Sequence, residues 1–310
     1  MELKYYDRNR RTNEWYNLQI EDHAVLVERA ETPYIEFPAL KRLKGVKHCF
    51  STRLGGVSTG DCASMNLAEN CGDSKENLLE NFSRMSKILG ITVDEIVLSD
   101  QVHDVKVQAV TKQHAMGEGM ARKVSKTDGI MTDVPKLALA TSYADCVPLL
   151  FADPIKGVVA GVHAGWRGTV GLIGMHAVEA MKKEYGAKPE DMVVVIGPSI
   201  CQECYEVSKE VADAFYKVFE ELVMQKVQEQ EREEILQKIM DAVLAENEMK
   251  EGKYQLDLWM ANRIILEFAG IPRKNISISC VCTRCNCKLL HSHRATDGKR
   301  GGLRAFIMRV

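Results

Sequence analysis

Three short apolar segments in the middle of the chain constrain its fold more than any other feature. Each has four or five residues, which is too short for a typical helix, and Pro, Asp and Gly residues bound them. Such runs are typical of strands that are buried on both faces. The segments are Leu137–Ala140, Val147–Phe151 and Val158–Val162. The turn sequence Asp153–Gly157 between the last two predicts a hairpin, which would bring the residues at its open end together.

Helical patterns separate these strands from others along the chain. Apolar spacing predicts helices over Glu76–Leu89, Thr169–Tyr185 and Leu256–Phe268. From about residue 208 to 252 the chain is highly charged, and two amphipathic stripes there indicate surface helices rather than a partner-binding element. Although 310 residues can form two domains, no internal repeat or convincing linker divides them. We therefore predict a single α+β domain over residues 1–310.

The composition argues against several classes of protein. A net charge of -2 gives no basic footprint for binding nucleic acid. No apolar run approaches the ~18 residues that a membrane helix needs, and residues 1–17 lack the apolar core of a secretory signal. Ten cysteines in such a chain favour reduced thiols with metal-binding or catalytic roles. We expect a cytoplasmic protein.

Three residues with soft ligand atoms, His103, Cys146 and His163, lie at the ends of predicted strands. Taken singly, a His or Cys at such a position is more often a buried or hydrogen-bonded residue than a metal ligand. Here all three stand beside polar or glycine-rich loop residues. One thiolate and two imidazoles suit a zinc ion whose fourth position stays open, with copper as the alternative metal. The three residues therefore predict a catalytic metal site.

Further cysteines near the C-terminus and around position 200 raise the question of a second metal site. Cys201 with Cys204, and Cys282 with Cys285, have the CxxC spacing that metal sites use. If the two pairs met in space, they would form a four-thiolate zinc site. A single CxxC is weak evidence, so we favour reduced, incidental cysteines here, and the same holds for Cys280 and Cys287.

A series of short motifs, in a fixed order along most of the chain, resembles a known family. The chain resembles the purine nucleoside phosphorylase family, which is also labelled multicopper polyphenol oxidoreductase or laccase-domain and is typified by bacterial YfiH and YlmD. One hexapeptide would be weak evidence, whereas this ordered set is specific. The motifs are Ser51–Ser58, Ser64–Leu67, Gly72-Asp73, Gln101–His103, Thr127–Gly129, Ala144–Pro148, His163–Gly168, Gly197–Ile200, Cys204–Val207, Asp257–Arg263, Cys282-Thr283 and Ser292–Arg294.

The resemblance implies both a fold and an activity. The implied fold is a four-layer α/β/β/α arrangement with mixed sheets, YfiH-like and shared with a deamidating bacterial toxin domain. The implied site is a zinc centre formed by His103, Cys146 and His163. The implied reactions are phosphorolysis of adenosine, inosine and S-methyl-5'-thioadenosine, together with deamination of adenosine to inosine. Purine nucleosides and phosphate are therefore the expected partners.

Deamination at a zinc site needs a carboxylate that transfers protons without binding the metal. Asp145 is our first candidate for this role and Glu206 the second, and each has a structural hydrogen-bonding role as its alternative. Cys146 is the other residue that we predict to be catalytic.

Phosphorolysis needs groups that hold phosphate and the ribosyl part of the substrate. Arginine forks suit phosphate, so Arg53, Arg167 and Arg294 are candidates, with Arg294 favoured because it lies in the C-terminal motif. Asn66 is a candidate substrate contact, or a residue that orders its own turn. Glu206 completes the predicted substrate-binding set.

Three other functions compete with the nucleoside enzyme. A copper-dependent polyphenol oxidase needs histidine-rich copper clusters, but the chain has 8 His and a single His-x-His pair, His291 with His293. A Cys–His amidase or deamidase would use Cys146 as nucleophile and His163 as base, and would tolerate the loss of His103. A non-catalytic scaffold would use the charged helices of residues 208–252.

Overall fold

The apolar segments form strands of two sheets that pack face to face. The structure, a computed structural model, describes residues 2–6, 23–28, 31–117, 124–247 and 249–310. Its strands are β1 (Val25–Val27), β2 (Tyr34–Glu36), β3 (Val46–Ser51), β4 (Ile96–Leu98), β5 (Val107–Ala109), β6 (Gly129–Thr132), β7 (Ala138–Tyr143), β8 (Val147–Asp153), β9 (Val158–Ala164), β10 (Val193–Ile196), β11 (Glu206–Ser208), β12 (Leu244–Glu246), β13 (Lys253–Leu256), β14 (Ile276–Ile278) and β15 (Leu303–Arg309). Its α-helices are α1 (Pro38–Lys41), α2 (Lys75–Leu89), α3 (Trp166–Val170), α4 (Ile173–Tyr185), α5 (Lys209–Lys226), α6 (Arg232–Val243) and α7 (Leu258–Phe268).

Both large sheets are mixed. The first sheet has the strand order β1-β2-β3-β15-β7-β4, and the second has the order β14-β10-β8-β9-β6-β5. The pairs β4–β7, β5–β6 and β10–β14 are parallel, and the remaining neighbours are antiparallel. A small antiparallel sheet, β11-β13-β12, lies apart from them in the hydrogen-bonding pattern. The predicted hairpin is confirmed as β8–β9.

Alternate residues of the central strands enter different cores, and this gives the predicted layers. On β8, Leu149 and Phe151 pack beneath α4 and α7, whereas Leu150 faces the core between the two sheets. On β15, Ile307 enters the core between the sheets, and Phe306 packs against α2 on the outer side. Strands that are buried on both faces need apolar residues at every position, which explains the continuous apolar runs. The α/β/β/α layering is therefore confirmed.

The helix predicted over Thr169–Tyr185 divides into α3 and α4. Gly171 ends α3 where a Cβ atom would lie 2.4 Å from Val105 Cγ1, so any larger residue would collide with the segment that precedes β5. Leu172 then adopts a left-handed φ of 60° before α4 begins at Ile173. The short helix α3 begins at Trp166, three residues after His163.

The charged segment of residues 208–252 contains α5 and α6, as the two amphipathic stripes predicted. Phe215, Phe219 and Val243 are buried in the core that also contains α7. After α6 the segment forms β12, which pairs with β13 in the small third sheet, a pairing that the apolar pattern does not predict. In the described part of the chain, no helix combines the length and the apolar character required to cross a membrane.

Candidate metal centre and pocket

The β8–β9 hairpin brings two of the predicted ligands together. Val147, which follows Cys146, pairs with Ala164, and Pro148 pairs with His163 across the ladder. His103 comes from the connection between β4 and β5, where its backbone adopts a left-handed φ of 64°. One ligand atom from each of the three residues lies within 4.8 Å of the others. We call these three residues the pocket ligand set.

Asp128 orients two of the three ligands from behind. Its carboxylate accepts hydrogen bonds from the backbone N–H groups of Val102 (2.9 Å), His103 (3.0 Å) and Asp104 (3.0 Å). It also contacts Nδ1 of His163 at 2.8 Å. A carboxylate on Nδ1 leaves Nε2 of the imidazole as the ligand atom, which is the usual arrangement behind a metal-bound histidine. Asp128 therefore fixes both the loop of His103 and the ring of His163.

The charges at the site favour an ionised Cys146. Burial opposes ionisation, but the charge of His163 and hydrogen bonds from His103 and His163 outweigh it and lower the pKa of Cys146 to about 6. Burial alone would lower the pKa of His163, whereas the Cys146 thiolate and the hydrogen bond to Asp128 raise it to about 9. For Asp128, burial acts against ionisation, and the hydrogen bonds from His163 and the backbone still hold its pKa below the ordinary value. Without a metal, Cys146 and His163 form a thiolate–imidazolium pair.

Gly165 makes room for the ligands. A Cβ atom at this position would lie 2.9 Å from Cδ2 of His103 and 3.2 Å from Sγ of Cys146. Both distances are shorter than ordinary carbon contacts, so any larger residue would displace a ligand. The glycine of the His163–Gly168 motif is therefore explained by the close approach of two side chains.

The donor set fits a zinc ion. Tetrahedral zinc places nitrogen and sulfur ligands on the order of 3.5 Å apart, which is close to the 4.0 Å between Cys146 Sγ and His103 Nε2. His163 is buried, whereas His103 is exposed and Cys146 is half-buried, so the centre faces solvent on one side. Three protein ligands leave one position free for water or substrate. The ligands therefore suit a catalytic ion better than a closed structural one.

The pocket ligand set lines a cavity of about 560 Å³, which is large enough for a nucleoside. Asp145, Tyr205, Arg294 and Arg300 line the same cavity. The Arg294 guanidinium lies 5.3 Å from the centre of the Tyr205 ring, in cation–π geometry. The cavity thus combines a candidate metal centre with an aromatic side chain and two positive charges.

Asp145 is buried at the cavity wall, and its two carboxylate oxygens have separate partners. Thr283 Oγ1 donates to Oδ1, and the backbone N–H of Arg294 donates to Oδ2 at 2.7 Å. Its own carbonyl accepts from Ile200 N at 3.0 Å. The residue has a left-handed φ of 92°, which turns the chain sharply before Cys146. Asp145 is therefore held rigidly beside Cys146, one of the predicted metal ligands.

Four other predicted residues do not line the cavity: Arg53, Asn66, Arg167 and Glu206. Arg53 donates to the carbonyls of Ala63 and Cys287, so its guanidinium holds two loops together. Asn66 is fully buried and orders its own turn, since its amide contacts Asp73, Ala68 and Gly302. These contacts assign structural roles to Arg53 and Asn66.

The other two, Arg167 and Glu206, each directly follow a residue that lines the cavity. Arg167 is exposed on α3 and stacks on Trp166, 4.3 Å from its ring centre. The Glu206 carboxylate pairs with Lys250 at 3.0 Å, while its backbone carbonyl accepts from the Arg294 guanidinium. Glu206 therefore positions Arg294 through the main chain rather than facing the metal ligands.

Two residues at the site were missed by the sequence reasoning. Asp128 belongs to the Thr127–Gly129 motif, to which no role in the site was assigned. Arg300 lies in none of the motifs, yet it lines the cavity, and its buried Nε has no hydrogen-bond partner among the described residues. The available signal for Asp128 was its position directly before β6, the strand that pairs with β9 next to His163. No local signal pointed to Arg300.

Comparison with known proteins places this architecture in a family. The model of the multi-copper polyphenol oxidoreductase laccase family matches residues 47–310. The chain belongs to this family. Purine nucleoside phosphorylase YlmD of Bacillus subtilis is 36% identical over 262 residues, which cover 83% of this chain and 86% of that protein. Adenosine deaminase RL5, from an unknown prokaryotic organism, is 34% identical over 255 residues, covering 79% of this chain and 87% of that protein.

A solved family member confirms the fold. The crystal structure of YfiH from Bacillus licheniformis superposes with a TM-score of 0.78 at 31% identity and covers 92% of this chain and 99% of its own. The expected YfiH-like fold is therefore correct. The named relatives support a nucleoside-processing enzyme.

Proposed function

We propose that this protein is a zinc-dependent purine nucleoside enzyme, which phosphorolyses adenosine, inosine and S-methyl-5'-thioadenosine and also deaminates adenosine. The observation that carries the proposal is the convergence of His103, Cys146 and His163 on the wall of a nucleoside-sized cavity. The relatives named purine nucleoside phosphorylase and adenosine deaminase support the same substrate class.

Zinc bound by the pocket ligand set would supply Lewis acidity and would lower the pKa of a coordinated water to roughly 7. His163 would bind the ion through Nε2, because its Nδ1–H donates a hydrogen bond to the Asp128 carboxylate. In deamination, water adds its oxygen to C6 of adenosine and ammonia leaves. Asp145 lies beside Cys146 and has lone pairs beyond those used by Thr283 and Arg294, so it is the residue that moves protons between water and the leaving nitrogen.

Phosphorolysis breaks the bond from the ribose C1' to the purine nitrogen and forms a bond from C1' to a phosphate oxygen. The departing base takes a proton. Arg294 and Arg300 supply positive charge to the cavity, and the unpartnered Nε of Arg300 is a donor suited to a phosphate oxygen. The face of Tyr205 provides an apolar surface on which a purine would stack. These residues bind and orient the two reactants.

The test is a turnover assay on purified protein of known metal content, with adenosine and inosine supplied with and without phosphate. We expect phosphate-dependent release of free base from both nucleosides and phosphate-independent release of ammonia from adenosine. His103→Ala should abolish each reaction and lose one zinc ion, whereas His176→Ala, an exposed histidine on α4, should change neither. Absence of turnover with either nucleoside in the zinc-loaded protein would refute the proposal.

A specific observation favours one alternative function. Cys146, His163 and Asp128 form a chain of hydrogen-bonded thiolate, imidazole and carboxylate groups, as in a Cys–His–Asp hydrolase. Such an amidase or deamidase would not use His103 as a ligand. Amide hydrolysis that survives in His103→Ala and disappears in Cys146→Ala would support this alternative over the zinc enzyme.

The copper oxidase is less well supported by the site. Within the described residues, the groups able to hold a metal ion are the pocket ligand set and a second group made only of cysteines. Laccase chemistry needs several copper ions held mainly by histidines, and these two groups contain two histidines in all. Phenol oxidation by copper-loaded protein, unchanged in His163→Ala, would point to chemistry away from this site.

A further inference from the structure

Four cysteines outside the pocket meet at one end of the second sheet. They are Cys201, Cys204, Cys282 and Cys285, and we call them the cysteine cluster. We propose that the cysteine cluster binds a structural zinc ion through four thiolates. Each CxxC pair alone is weak evidence for a metal site, so the sequence favours incidental cysteines until the two pairs are seen to meet. The proposal does not depend on the nucleoside chemistry.

The pairs converge because the strands that precede them are parallel neighbours. β10 leads to Cys201 and β14 leads to Cys282, and parallel strands end at the same edge of a sheet. The ladder continues past the strands as a bridge between Ser199 and Cys282. Ser199 N donates to Val281 O at 3.2 Å, and Thr283 N donates to Ser199 O at 3.1 Å. The backbone thus sets both CxxC segments side by side.

The sulfur atoms have the spacing of a tetrahedral site. All four lie within 4.8 Å of one another, and Cys204 Sγ is 3.6 Å from Cys285 Sγ. Zinc–sulfur bonds of about 2.3 Å in tetrahedral geometry place sulfur atoms about 3.8 Å apart. Four thiolates without nitrogen or oxygen ligands are the donors of structural zinc sites. A small contraction of the cluster would complete the coordination.

The surroundings of the sulfurs favour thiolates. The backbone N–H groups of Cys201 and Cys285 both point at Sγ of Cys282, at 3.3 Å and 3.4 Å. The Arg284 side chain lies within hydrogen-bonding reach of the Cys204 thiol. Donors and a positive charge around sulfur offset the negative charge of a four-thiolate centre. Cysteines that were only packed in a core would not need these partners.

Burial changes from one side of the cysteine cluster to the other. Cys201 and Cys282 are buried, Cys204 is half-buried and Cys285 is exposed, so an ion can enter from the surface. All four protein ligands are present, which leaves no position for water or substrate. The centre would therefore be structural rather than catalytic.

A zinc ion here would stabilise the wall of the cavity. Ile200, next to Cys201, donates its N–H to the carbonyl of Asp145, and Thr283, next to Cys282, donates its hydroxyl to the Asp145 carboxylate. Tyr205, next to Cys204, lines the cavity. Each of these three residues is the direct neighbour of a proposed ligand. The ion would hold the loops on which Asp145 depends.

The experiment is zinc quantification on full-length protein purified without chelators, under reducing conditions. We expect two zinc ions per chain in the wild type and one in both Cys204→Ser and Cys285→Ser. Cys146→Ser should also retain one, which must then come from the cysteine cluster. Cys287→Ser, two residues from Cys285, is the matched control and should retain two.

If a cluster variant does not fold, X-ray absorption at the zinc edge of Cys146→Ser identifies the ligands of the zinc ion that this variant retains. A shell of four sulfur atoms supports the proposal. One zinc per chain in the wild type with unchanged content in Cys204→Ser and Cys285→Ser would overturn it. Iron in place of zinc, or a mass lower by about 2 Da from a disulfide between Cys204 and Cys285 with no metal bound, would overturn it as well.

Discussion

The pocket ligand set and the cysteine cluster use similar soft ligands on the same sheet, yet their surroundings differ. The pocket ligand set has three ligands, a carboxylate behind His163 and an open cavity in front. The cysteine cluster has four thiols and backbone N–H groups behind Cys282, and its cysteines are not among the residues that line that cavity. A centre with three protein ligands and an open cavity beside it suits catalysis, whereas a centre with four protein ligands suits a structural role. The type of ligand matters less, since both centres use soft ligands.

The largest effect should come from removing one thiolate in each centre. Cys146→Ser should lower kcat/KM for inosine by at least about 1,000-fold, since a catalytic ion stabilises the transition state by several kcal/mol. Its melting temperature should change little. Cys285→Ser should lower the melting temperature by about 5–10 °C while most activity is retained at 25 °C. The measurements are steady-state kinetics and calorimetry, and a large activity loss with unchanged stability in Cys285→Ser would break the comparison.

The second effect concerns the carboxylate behind the pocket ligand set. Asp128→Asn keeps one acceptor oxygen of the two, so its NH₂ group must face either the backbone donors of residues 102 and 104 or the donors of His103 and His163. We expect zinc affinity at this site to fall by about 10- to 100-fold. Competition with a chromophoric chelator measures the affinity. Asp104→Asn, on the same loop and exposed, is the control and should bind zinc as the wild type does.

The third effect is steric and confined to one methyl group. Gly165→Ala would place a Cβ atom 2.9 Å from His103 Cδ2 and should weaken zinc binding by roughly tenfold. Gly168→Ala is matched, because its nearest non-local contact would be 3.5 Å away. Equal zinc affinity in both variants, measured by the same competition, would show that the close approach at Gly165 does not position the ligands.

The smallest effect is a difference in reactivity within the metal-free protein. The pKa of Cys146 is lowered to about 6, so its thiolate predominates above that pH and its alkylation rate should rise to a plateau before pH 7. At pH 7 the larger thiolate fraction outweighs the lower nucleophilicity of a low-pKa thiolate, so the rate with iodoacetamide should exceed that of free cysteine by roughly threefold. Mass spectrometry of the labelled peptide across pH gives the midpoint. A midpoint near pH 8.5 would mean that His163 does not stabilise the thiolate.

The sequence predicted the parts of the fold that depend on neighbours along the chain. The hairpin β8–β9 follows from two apolar runs and one turn, and it alone places Cys146 near His163. The cysteine cluster depends instead on the parallel pairing of β10 with β14, whose residues are separated by about eighty positions. Apolar periodicity carries no information on such pairing, so the two CxxC segments looked unrelated.

Contacts that are distant in sequence also decide which arginines line the cavity. Arg53 and Arg294 both lie in family motifs, but only Arg294 reaches the cavity, because Arg53 is used by carbonyls that are distant in sequence. Arg300 reaches the cavity from a segment with no motif. A side chain's residue type predicts what it can bind, whereas its partners are decided by loops that meet only in the folded chain.

The position of β15 in the first sheet has a consequence for biosynthesis. β15 lies between β3 and β7 and is hydrogen-bonded to both, although it is made after every other strand of the sheet. During translation, β1 to β3 and β7 with β4 can form only two separate ribbons, each with an open apolar edge. These edges stay exposed until residues 303–309 have been synthesised. The nascent chain therefore exposes both unpaired edges until β15 has been made, and loss of β15 would leave two aggregation-prone ribbons in place of one six-stranded sheet.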